Sequence, residues 1–143
     1  MINWIHKEDE VWEGVFKSSI FHDEEDISEL SIGIENASLA DYAEKCVNSL
    51  NTMPEQMVIE ICKGIIECAE QEQFKIPKLD SPLDILKYCW FTTVYVGTPN
   101  RENLISYVVE GEGDWGEVIG FAIENNQLVY VGVDYYDYIN SEK

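Results

Sequence analysis

Positive charge is what this sequence has least of. Nine lysines and arginines stand against 28 aspartates and glutamates, a formal net charge of −19, and Arg101 is the sole arginine. So few bases cannot release counterions from a phosphate backbone, so nucleic acid is not expected as a direct ligand. An anionic membrane surface is disfavoured for the same reason. No run approaches the ~20 apolar residues of a membrane span. Residues 1–10 lack the basic start and apolar stretch of a signal peptide, and a cytoplasmic location is the expectation. The four cysteines, Cys46, Cys62, Cys68 and Cys89, form no C-x-x-C pair. They read as free thiols, with Cys46 and Cys62 in the core.

Histidine is scarce too. His6 and His22 are the two present, and neither has a serine or cysteine motif beside it to make a nucleophile and base. No G-x-S-x-G, H-E-x-x-H, P-loop or G-x-G-x-x-G occurs. The glycines of Gly111-Glu-Gly-Asp114 precede no helix that could hold a phosphate. The expectation is a protein without catalytic centre or cofactor. Carboxylates could still hold a hard cation. The run His22-Asp23-Glu24-Glu25-Asp26 is dense in ligands but lacks calcium-loop spacing. Glu110, Glu112 and Asp114 alternate, so a continuing strand would point all three to one side. A solvated acidic stripe is the favoured reading of these three.

The acids are spread along the whole chain, so the folded body itself carries the negative field. Such a field steers cationic partners inward, although solubility alone would also account for it. The chain has 143 residues, 45% hydrophobic and 12% aromatic. That suits one domain over 1–143 with a real core.

The order of elements predicts an α+β fold, a mainly antiparallel sheet with two central helices packed on one face. Up to about residue 35, Trp12, Gly14, Phe16 and Ser18 alternate with Val15 and Lys17. Ile27, Leu30, Ile32 and Ile34 follow, giving a twisted hairpin with one wet face. Ser38 with Asp41 resembles a capping box ahead of a stripe of Leu39, Tyr42, Ala43, Cys46, Val47 and Leu50. Thr52-Met-Pro-Glu55 reads as a second box, opening an apolar stripe of Val58, Ile61, Cys62, Ile65 and Ala69 over about 18 residues. Ser81-Pro-Leu-Asp84 opens a short helical turn through Tyr88. Strands are predicted at 90–96, 104–110, 117–124 and 127–133. In the first, Trp90, Val94 and Val96 fall on one face and Phe91 and Tyr95 on the other. Asn125-Asn126 is the turn between the last two.

The tail, Val133-Asp-Tyr-Tyr-Asp-Tyr-Ile139, interleaves tyrosine with aspartate. Tyrosine is over-represented among binding hot spots, and a neighbouring carboxylate suits an arginine or lysine across an interface. Asp134, Tyr135, Tyr136, Asp137 and Tyr138 are therefore candidate partner-binding residues. Packing of Tyr136 or Tyr138 back on the domain is the competing reading. Glu110, Glu112, Asp114, Asp23, Glu24, Glu25 and Asp26 are further candidates. Trp115 reads as a core anchor beside a tight turn.

Together these motifs resemble a family of small acidic bacterial α+β domains of unassigned activity. Its pattern runs from W-x-G-x-V (Trp12-Glu-Gly-Val15-Phe16) through a short helix and an aromatic strand (Leu83-Asp-Ile-Leu-Lys-Tyr88, then Thr93-Val-Tyr-Val96). It ends with D-W (Asp114-Trp115), a glycine-containing strand (Gly120-Phe-Ala-Ile123) and L-V-x-V-G (within Asn126-Gln-Leu-Val-Tyr-Val-Gly132). Where relatives usually carry E-H-G-L, this chain has Glu117-Val-Ile-Gly120-Phe121, without the histidine. Similar proteins occur among immunity proteins of bacterial toxin systems, including contact-dependent growth inhibition. The resemblance implies a protein that binds and neutralises a cognate toxin domain, such as a basic nuclease. A DNA-mimicking inhibitor and a carboxylate-liganded metal hydrolase are the alternatives.

Overall fold

The computed structural model describes residues 2–8, 11–18, 20–21, 29–73, 75–97, 99 and 104–139. Seven strands form one sheet whose spatial order is the chain order. They are β1 (Asn3–Glu8), β2 (Val11–Lys17), β3 (Glu29–Ile34), β4 (Cys89–Val96), β5 (Tyr107–Gly113), β6 (Val118–Glu124) and β7 (Gln127–Gly132). Every junction is antiparallel except β3–β4, where Ser31, Ile32 and Gly33 pair in parallel with Thr93, Val94 and Tyr95. A parallel pair needs a long crossover. This one carries α1 (Ala40–Asn51), α2 (Glu55–Gln71) and a 3-10 turn (Pro82–Tyr88). The fold is α+β.

The helices bury the stripes read from their spacing: Ala43, Cys46, Val47 and Leu50 on α1, and Val58, Ile61, Cys62, Ile65 and Ala69 on α2. These meet the inner face of the sheet, where alternate residues such as Phe16, Leu30, Ile32, Val109 and Phe121 are buried. Phe91 is the hub of an aromatic cluster there, its ring centroid 5.2 Å from Phe21 and 5.8 Å from Phe121. Each such side chain removed from water contributes roughly 1.5–3 kcal/mol. Gly64 lets α2 lie close to β7, since a Cβ there would come within 2.7 Å of Val131.

Local signals resolve differently from expectation at several places. Asn36, not Ser38, caps the turn before α1, its side chain accepting from the Ser38 amide. The Thr52 hydroxyl donates backwards to the Asn48 carbonyl at 2.7 Å, so Pro54 begins α2 without a side-chain cap. Only Ser81 and Asp84 close a full capping box. In β4 the register shifts between Phe91 and Thr93. This bulge puts Phe91 with Val94 and Val96 in the inner core, overturning the expected division of that strand. The strand expected at 104–110 begins instead at Tyr107. Ser106, just ahead of it, is held by Tyr42, whose hydroxyl accepts from its amide at 2.8 Å. β1, which the alternation did not reveal, adds an edge strand with its own bulge between Trp4 and His6. Ile27 lies outside the described residues, as does the acidic turn that precedes it.

Candidate functional site

Among the described residues, neither α1 nor α2 lies over the outer face of the sheet. The C-terminal 3-10 turn (Tyr135–Tyr138) folds across its β5–β7 end instead. Tyr135 is buried with Val108 and Ala122, with Tyr95, Tyr130 and Tyr138 packed around them. Its ring sits over Gly120, where a Cβ would lie 2.6 Å from Tyr135 Cγ. Tyr138 stacks on Tyr130 at 5.0 Å.

At the centre is Glu110. Its Oε2 accepts from the Tyr135 hydroxyl at 2.7 Å and its Oε1 from the Tyr95 hydroxyl at 3.0 Å. An ionised carboxylate only accepts, so two phenols converging on it are both satisfied. Burial, then the bond and charge of Glu110, push the Tyr95 phenol up to about 12 and raise Tyr135 as well.

The tail candidates thus divide. Tyr135 is committed to the domain, and Tyr138 is half-buried against Tyr130. Tyr136 is 67% exposed, and Asp134 and Asp137 stand in solvent. Glu110 and Glu112 share the outer side of β5. Glu112 is exposed opposite Trp90, whereas Glu110 is closed over by the two tyrosines. Asp114 belongs to the turn after the strand, its amide donating to the Tyr88 carbonyl at 2.7 Å. Trp115, half-buried, packs on the inner core beside that turn. Asp23, Glu24, Glu25 and Asp26 lie outside the described residues. Among the described residues no three His, Cys, Asp or Glu side chains are placed to hold a metal. The thiols of Cys46 and Cys89 are pushed up to about 12 by burial, and that of Cys62 to about 11.

Where the tail ends, the outer face opens. Over β1–β4 lies a depression of about 400 Å³, floored by Val15, Ser31, Gly33 and Thr93 between Glu13 on one side and Tyr95 on the other. A second of about 240 Å³ adjoins it past Gly33 and Tyr95 and is edged by Glu35 and Ile139. Glu13, Gly33 and Glu35 escaped the sequence reading. The available signal was a glycine on the wet side of the Ser31-Ile-Gly-Ile34 alternation.

Charge surrounds this face. Of the described carboxylates whose side chains are placed, all but Glu44, Asp84, Glu110 and Glu124 are exposed. Lys87 pairs with Asp84 at 3.6 Å on the surface. Among the described residues no helix is long and apolar enough to cross a membrane. Residues 2–138 match the family described as Domain of unknown function (DUF6985). No curated protein and no solved structure matches the chain.

Proposed function

We propose that this chain, which belongs to the DUF6985 family, is an immunity protein that binds a cognate, basic toxin domain in the cytoplasm and neutralises it by occlusion. The observation that carries this reading is the exposed, outward-facing set of carboxylates on a body of net charge −19. Left in water, such a set costs self-repulsion, and a cationic partner relieves it. Charge of this kind accelerates encounter, and a packed contact then slows dissociation. The outer face offers such a contact in its open groove, and the tail adds the exposed Tyr136 with the aspartates Asp134 and Asp137.

Co-expression tests it. The toxin domain is sought in the gene next to this one, as the variable C-terminal part of a large secreted protein. Growth arrested by that domain should resume when this chain is co-expressed. Association should slow by more than tenfold between ~10 mM and ~500 mM salt, as screening removes the steering. A toxin domain equally lethal with and without this chain sinks the reading.

A further inference from the structure

The interior glycines of the sheet differ in why they are glycine. At Gly14 a Cβ would lie 2.8 Å from the Asn3 carbonyl oxygen, and at Gly120 2.5 Å from that of Val109. Those positions exclude any side chain. At Gly33 the nearest atom to a Cβ is the Trp12 carbonyl oxygen at 3.8 Å, an ordinary contact, and φ is not positive. Its pairing with Glu13 and Tyr95 runs through unbroken register on both sides. Among the described residues nothing therefore needs glycine there, although a strand-interior glycine costs about 0.5–1 kcal/mol relative to alanine. Such a glycine is a mark of close approach by something outside the strand.

Gly33 is also where the two outer depressions meet. Each has an exposed carboxylate at its margin, Glu13 and Glu35, and among the described residues no lysine or arginine lines either. Glu13 lies opposite Gly33, and Glu35 follows two residues on, just past the end of β3 at Ile34. A diagonal neighbour across an antiparallel pair lies ~7–8 Å away, close to the ~6.6–6.8 Å at which same-side residues of an extended chain recur.

We propose that this groove binds an extended basic segment of the partner, with two cationic side chains at alternate positions reaching Glu13 and Glu35. The segment's backbone crosses Gly33, and the aliphatic stems lie along Val15 and the Tyr95 ring, whose face attracts a cationic end. This placement rests on the binding role argued above and names the contact face within it.

The test uses two blocked hexapeptides of identical composition, one with arginines at alternate positions and one with them adjacent. Each is titrated into the isotope-labelled full chain. The alternating peptide should shift amides at 31–35 and 93–96 and bind about tenfold tighter than its isomer, because only it places both charges and stems. Gly33→Trp, whose Cβ would meet the Trp12 carbonyl oxygen at an ordinary 3.8 Å, puts an indole at the groove and should abolish that preference. The Glu13→Gln/Glu35→Gln pair, which leaves the fold untouched, should do the same. Equal affinity for the two isomers, shifts spread over α2, or wild-type binding by either variant overturns the assignment. So does a concentration-dependent dimer that Gly33→Trp dissolves, since the occupant would then be a second copy. Both variants also go into the toxin co-expression assay. Full protection by Gly33→Trp overturns the groove alone and leaves the immunity role standing. A wild-type chain that fails to protect counts against that role, while the peptides still judge the groove.

Discussion

Replacing Tyr135 by phenylalanine removes one oxygen and little else, because the ring stays 4% exposed over Gly120 and no cavity opens. The lost interaction is the 2.7 Å bond to Glu110 Oε2. Hydrogen bonds to charged acceptors contribute about 1.5–3 kcal/mol. Glu110 is half-buried and water can reach part of it, which places the expected loss at the lower end, about 1–2 kcal/mol. For a domain of this size that lowers Tm by roughly 2–8 °C. Urea unfolding should show a lower midpoint and an unchanged slope. The sign with pH follows from the raised phenols. Unfolded tyrosine ionises near its ordinary 10.0, whereas folded Tyr95 holds its proton to about 12. Between those values the unfolded state binds fewer protons, so stability is full below pH 10 and falls as pH rises towards 12. Tyr135→Phe should flatten part of that alkaline decline, because one of the two raised phenols on Glu110 is gone while those of Tyr42, Tyr107 and Tyr130 remain. A midpoint change equivalent to less than about 0.3 kcal/mol, or an alkaline limb identical to wild type, would refute the clasp as a stabilising contact.

Two further outcomes are expected. Gly33→Ala should stabilise the fold by about 0.5–1 kcal/mol, whereas Gly120→Ala, which meets the Val109 carbonyl and the Tyr135 ring, should cost more than about 2 kcal/mol; equal effects in urea titrations would contradict the packing described. The buried thiols of Cys46, Cys62 and Cys89 stay protonated at pH 8, so a thiolate-specific reagent should label them only after denaturation, and rapid labelling of the native protein would contradict their burial.

Helix faces were legible because their apolar stripes repeat at 3.6 residues and each stripe had one core to meet. The Asn125-Asn126 turn was legible as well, and both residues adopt positive φ, 52° and 68°. Capping was less so. Thr52 satisfies its hydroxyl by reaching back to Asn48, a choice among nearby backbone groups that spacing cannot decide. The β4 bulge defeated strict alternation, because one extra residue turns everything after it to the other side. The outer face was half legible. Tyrosines and aspartates announced an unusual tail, yet its partner for Tyr135, Glu110, lies 25 residues away and is brought there only by the sheet. The groove was invisible as such. It is built from residues too small or ordinary to draw notice, and Gly33 gains meaning only beside glycines that a neighbour forbids to change.

The single parallel junction between β3 and β4 has a kinetic consequence. Every other strand pair closes over a short connection, and the tightest, Glu8 with Val11 and Glu124 with Gln127, each close across two residues. Ser31 and Thr93 are 62 residues apart, and joining them costs roughly 2–3 kcal/mol more in loop-closure entropy. The β1–β3 and β4–β7 ribbons are therefore set to assemble locally and early, with their union across the helical crossover as the slow step. The open groove straddles that same seam, so it comes into existence only when the last part of the chain to fold has done so.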